Sequence, residues 1–140
     1  MSTNVNTLRI LSIDDDDINN FVAEEWIKSN TEQTEFMAFT SAEDALQHLR
    51  SCTKAVYPHL ILCDLNMPMY DGFEFIELYE NEFYPDFPET KLVVLSSSLR
   101  KQDIDQSKSY ASVSDFVAKH SVQKNFEYIL ERFPIKALRQ

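Results

Sequence analysis

Four short apolar runs in this 140-residue chain each deliver a chemically capable side chain at their end. Leu8–Ile13 runs into Asp14, Asp15, Asp16 and Asp17; residues 59–63 run into Asp64; residues 92–95 run into Ser96; residues 116–118 run into Lys119. Clustered carboxylates repel one another, so a set of acids converging on one place calls for a cation. Oxygen ligands without histidine or thiolate favour Mg²⁺, which accepts one or two carboxylates and keeps its other positions for water and phosphate oxygens. A carboxylate at the tip of a buried strand can attack a phosphoryl group and form an acyl phosphate. Positioning and charge neutralisation dominate such a transfer. In that chemistry Lys119 supplies a second positive charge and the Ser96 hydroxyl a hydrogen bond to the phosphoryl oxygens. Asp16 and Asp17 read differently, as acids that cap and complement the start of a helix.

Such groups act together only if the fold brings the run ends to one edge. Residues 18–28 follow with Ile18, Phe21, Val22 and Trp26 at helical spacing, and residues 35–39 form a second strand. Ser41, with Asp44 three positions on, starts a helix carrying Ala42, Ala45, Leu46 and Leu49 on one face. A third helix begins after Gly72 (Phe73, Ile76, Tyr79), a polar fourth covers residues 101–110, and a fifth covers residues 122–133 with Val122, Phe126, Ile129, Leu130 and Phe133 in register. The runs at residues 59–63 and 92–95 are continuously apolar, as in strands covered on both faces. Five strands alternating with five helices predict an α/β sandwich around a parallel sheet. In such sheets ligands bind beyond the carboxyl ends of the strands, which is where Asp14, Asp15, Asp64, Ser96 and Lys119 fall.

Composition narrows the function classes. The chain has 13 basic and 23 acidic residues, a formal charge of −10 that disfavours direct nucleic-acid binding. No stretch approaches the roughly 18 apolar residues of a membrane helix, and the first seven residues lack an apolar signal core, so a cytoplasmic location is expected. Cys52 and Cys63 make no CxxC pair and are expected to be reduced thiols, with Cys63 buried in a strand. His48, His59 and His120 have no metal-ligand spacing. The lone glycine, Gly72, leaves no material for a Gly-rich phosphate loop.

Four segments together resemble the receiver domain of two-component response regulators: residues 10–16 (ILSIDDD), residues 60–72 (LILCDLNMPMYDG), residues 93–97 (VVLSS) and residues 115–119 (DFVAK). The resemblance spans residues 8 to about 133. It implies a flavodoxin-like (βα)5 fold with strand order 2-1-3-4-5. It also implies that Asp64 is the phosphoacceptor, and that Mg²⁺ is held by Asp15, Asp64 and the Asn66 carbonyl, with Asp14 acting chiefly through water. Ser96 and Phe116 would form the conformational switch, and Lys119 the ion-pair partner of the phosphoryl group. The implied protein is a single receiver domain, residues 1–140, with no output domain. It would accept a phosphoryl group from a sensor histidine kinase or histidine phosphotransfer protein and signal to a downstream protein, with no enzymatic role beyond its own phosphoryl chemistry. A receiver-like binding module that never carries phosphate is the alternative. An aspartate-nucleophile phosphatase of the haloacid-dehalogenase type is disfavoured, because it needs Asp-x-Asp-x-Thr and the chain has Asn66 and Pro68 at the +2 and +4 positions.

The sequence departs from the family's pattern in four places. His120 stands where a proline commonly follows the lysine, and a trans peptide is expected there because a cis non-proline bond costs about 3 kcal/mol. The glycine usual before the fifth strand is missing. Residues 51–59 and 80–90 are longer than typical.

Overall fold

The computed structural model describes residues 7–65, 72–97 and 100–132. Five strands alternate with five helices: β1 (Leu8–Ile13), α1 (Asp17–Asn30), β2 (Thr34–Phe39), α2 (Ala42–Ser51), β3 (Leu60–Asp64), α3 (Gly72–Glu82), β4 (Lys91–Ser96), α4 (Lys101–Lys108), β5 (Val113–Ala118) and α5 (Val122–Arg132). All strand pairs are parallel, in the order β2-β1-β3-β4-β5. Side chains alternate across the sheet, so each strand feeds two cores. Leu11, Ile13, Ile61, Cys63, Leu92 and Val94 pack with α2 and α3. Ile10, Leu60, Leu62 and Val93 pack with Ala23 and Ile27 of α1 and with Phe126 and Ile129 of α5. That double coverage is why residues 60–63 of β3 and 92–95 of β4 are apolar without a break. Cys63 is buried in β3 and Cys52 is half-buried after α2, and neither is in a disulfide.

The helix starts follow local chemistry. The Asp16 carboxylate accepts from the backbone N–H groups of Ile18 and Asn19, capping α1, and the Ser41 hydroxyl accepts from Asp44 N–H to cap α2. The apolar spacing misplaces the inner face of α1. Its buried residues are Asn20, Ala23 and Ile27, whereas Ile18 and Phe21 are 74% and 63% exposed. Of the expected stripe only Trp26 turns inward, stacking on Phe126. The inward face instead seats Ala23 and Ile27 in the core beside Phe126 and Ile129 of α5, and from the same face Asn20 Nδ2 donates to the Asp14 carbonyl at 2.9 Å.

The two long segments pack on each other. Tyr57 and Phe87 stack with ring centroids 3.7 Å apart, and Thr90 Oγ1 donates to the Pro58 carbonyl. Ahead of β5, where a glycine is missing, the Ser112 N–H and hydroxyl both donate to Glu80 Oε1 of α3 and hold the turn. Phe133, expected inside the last helix, lies outside the described residues. Among the described residues no helix is long and apolar enough to cross a membrane.

Candidate functional site

β1 and β3 are neighbours with Ile13 beside Cys63, so Asp14 and Asp64 leave the sheet side by side. Both carboxylates are nearly buried, and Asp15 is exposed beside them. One carboxylate oxygen from each of Asp14, Asp15 and Asp64 lies within 4.8 Å of the others. Asp14 is fixed on three sides: its N–H donates to the Phe39 carbonyl, its Oδ1 accepts from Asp16 N–H at 2.9 Å, and its carbonyl accepts from Asn20.

Asp64 is the last residue of β3. Leu65 N–H donates to the Leu95 carbonyl, and Gly72 N–H returns to the Leu65 carbonyl at 2.8 Å. The start of α3 therefore backs directly onto the Asp64–Leu65 backbone. A Cβ at position 72 would stand 2.6 Å from Leu65 Cα and 3.0 Å from the Asp64 carbonyl oxygen. The single glycine of the chain stands where the first residue of α3 meets the Asp64–Leu65 backbone.

Ser96 ends β4 in register with Ala118 of β5 and is fully buried. Lys119 follows β5, and its N–H donates to the Ser96 carbonyl at 2.8 Å. Its side chain reaches across the end of β4, placing Nζ 2.8 Å from Asp64 Oδ2 and 3.1 Å from Asp14 Oδ2. Burial alone would push the Lys119 ammonium down. The hydrogen bonds and charges of Asp64, and then of Asp14, outweigh it and hold the group above its ordinary value. Phe116 of β5 is half-buried and packs against the core on the α2/α3 side. The Lys119–His120 peptide is trans.

Asp14, Asp15, Asp64, Ser96 and Lys119 thus come together at the carboxyl edge of the sheet, with Phe116 on the strand leading to Lys119. Asn66 lies outside the described residues. The donor set is three carboxylates with no imidazole or thiolate among them, which fits a hard divalent cation such as Mg²⁺. Sequence reasoning missed Asn20 and Asn125. Asn125 is an amide inside the inward stripe of α5, whereas Asn20 lies off the apolar stripe of α1 and left no signal in the spacing.

A family model for the response regulator receiver domain matches residues 10–131, and the chain belongs to that family. Among curated proteins no match is found. A two component response regulator from Cytophaga hutchinsonii is 29% identical, with a TM-score of 0.70 over 89% of this chain and 98% of that one. The phosphorylated cyanobacterial phytochrome response regulator RcpA is 24% identical, with a TM-score of 0.74 over 90% and 91% of the two chains. TrrA from Thermotoga maritima, solved in complex with Mg²⁺ and BeF, shares the fold at 19% identity, with a TM-score of 0.68 over 90% and 98%.

Proposed function

We propose that this receiver accepts a phosphoryl group on Asp64 from a phosphohistidine of a sensor kinase or histidine phosphotransfer protein, in a Mg²⁺-dependent reaction. The observation that carries this reading is the ion-pair triangle, in which the Lys119 ammonium bridges Asp64 and Asp14 at 2.8 and 3.1 Å beside an exposed third carboxylate. An Asp64 oxygen forms the new O–P bond as the P–N bond breaks. The electron pair of that bond stays on the departing imidazole. Lys119 already stands at an Asp64 oxygen and neutralises charge on the incoming group. Asp14, Asp15, Asp64 and the Asn66 carbonyl would hold Mg²⁺, which supplies further charge neutralisation for the phosphoryl oxygens when bound. Ser96 donates its hydroxyl to the phosphorylated carboxyl, and Phe116, whose ring has no phenol oxygen to anchor it, repacks in response.

A phosphoryl group adds up to about −2 charge at Asp64, enough to redirect Lys119 and Ser96 and to change the surface made by α4, β5 and α5. Output is read as contact with a downstream protein in the cytoplasm, without nucleic-acid binding by this acidic unit and with no catalysis beyond its own phosphorylation and dephosphorylation. The test is incubation with Mg²⁺ and acetyl phosphate, followed by intact mass and peptide mapping. One base-labile phosphoryl group on Asp64, absent in Asp64→Asn, is the expected result. Uptake by Asp64→Asn at the parent rate would refute the assignment.

A further inference from the structure

We infer that Asn125 is a positioning residue for Lys119, setting where the ammonium stands over the acidic pair. Asn125 lies inside the inward stripe of α5, next to Phe126 and one turn before Ile129, and is 6% exposed. A carboxamide there is costly unless its polar atoms are bonded. Both are used on a single residue: Oδ1 accepts from His120 N–H at 3.0 Å, and Nδ2 donates to the His120 carbonyl at 3.3 Å. Lys119 is the preceding residue, and its own N–H is tied to the Ser96 carbonyl at 2.8 Å. The backbone is therefore pinned on both sides of the Lys119 side chain, by β4 before it and by Asn125 after it.

Packing does not do this job. His120 itself is exposed. Beneath the loop is a cavity of about 110 Å³ whose walls include Ser12, Asn20, Leu95, Lys119, His120 and Asn125. With the His120 side chain exposed and an open pocket beside it, this segment keeps its place largely through hydrogen bonds, those of Ser121 at the start of α5 among them. Asn125 supplies two of them. Across the same cavity Asn20 holds the Asp14 carbonyl, so amides on α1 and α5 secure the two ends of the Lys119–Asp14 contact.

Lys119 and a bound divalent cation compete for the same carboxylates, which gives a readout separate from phosphorylation. The experiment is calorimetric titration of Mg²⁺ into the parent, Asn125→Ala, Lys119→Met and the double variant at fixed ionic strength. Lys119→Met is expected to tighten Mg²⁺ binding, because the competing ammonium is gone. Asn125→Ala is expected to tighten it in the same direction by about threefold, and to add nothing once Lys119 has been replaced. Weaker or unchanged Mg²⁺ binding in Asn125→Ala overturns the inference, as does an equal shift in both lysine backgrounds. A merely structural lesion loosens the acidic pocket and gives the opposite sign. Should Asn125→Ala melt below the assay temperature, Asn125→Ser keeps an oxygen for the His120 N–H and is expected to show a smaller shift of the same sign.

The second arm rests on the phosphoacceptor reading above. With acetyl phosphate at saturating Mg²⁺, Asn125→Ala is expected to lower the maximal phosphorylation rate about tenfold while leaving the half-saturating donor concentration unchanged. A parent that takes up no phosphoryl group while the Mg²⁺ cycle behaves as stated removes the Asp64 assignment and sustains the positioning role. A parent that is phosphorylated while the cycle fails does the reverse.

Discussion

Replacing Lys119 with methionine keeps the stem and removes the charge, leaving Asp14 and Asp64 to face one another. The two lost contacts are charge-assisted hydrogen bonds at 3.1 and 2.8 Å, each worth about 1.5–3 kcal/mol when well formed. The lysine side chain is 22% exposed, so solvent screens part of that interaction, and the desolvation cost of its ammonium disappears with it. A net loss of about 2 kcal/mol without metal is expected, or roughly 6–8 °C in melting temperature for a domain of this size. On the Mg²⁺ site proposed above, the cation would bind the folded state alone and replace the missing positive charge, so raising its concentration at fixed ionic strength is expected to narrow the gap. The pH dependence has a definite sign. A lysine held above its ordinary value contributes stability that is complete below the unfolded value near 10.5 and is lost as pH rises through the folded one. The difference between parent and Lys119→Met is thus constant from about pH 6 to 9 and closes only above about pH 10.5. A variant melting within about 2 °C of the parent without metal, or gaining no more than the parent from Mg²⁺, would refute this account of the ion pair.

Three further outcomes are expected. Gly72→Ala drives a Cβ into Leu65 Cα at 2.6 Å, costing about 1–3 kcal/mol and slowing phosphoryl uptake as the Asp64–Leu65 backbone shifts; an unchanged denaturation midpoint and uptake rate would contradict that contact. Ser107 is fully buried in α4, and its hydroxyl has no partner among the described residues. Ser107→Ala should stabilise by about 1 kcal/mol in urea denaturation, and a lowered midpoint would show that the hydroxyl is bonded in solution. His59 is pushed below its ordinary value by burial and then by Arg9, and its Nδ1 accepts from Arg9 N–H. The unfolded chain binds the proton more readily than the folded one, so stability falls as pH drops below about 6.5. His59→Asn, which keeps an acceptor, should flatten that slope between pH 7.5 and 5, as read from denaturant midpoints.

The strand ends were legible because each apolar run stops where its last side chain changes chemistry. Asp64, Ser96 and Lys119 could be read as one site from the parallel-sheet rule alone. The α1 face was not legible in the same way. Its most apolar stripe points outward, while the inward face carries a polar residue, Asn20, bonded to a backbone carbonyl, and apolar spacing carries no information about single hydrogen bonds. The same limit hid Asn125, whose partner is the backbone of His120. Residues 51–59 and 80–90 could be recognised as long, but the stacking of Tyr57 on Phe87 joins positions 30 residues apart and leaves no local pattern to read.

The sheet order has a consequence for how the molecule is made. A chain emerges from synthesis amino end first, and β1 and β3, central neighbours here, can pair before residue 100 exists. That pairing sets Asp14 beside Asp64, and the Lys119 ammonium that bridges them belongs to a later part of the chain. β5 is the outermost strand on its side and brings the lysine with it. Docking of the last strand therefore completes the sheet and sets the Lys119 ammonium against Asp14 and Asp64 in one event.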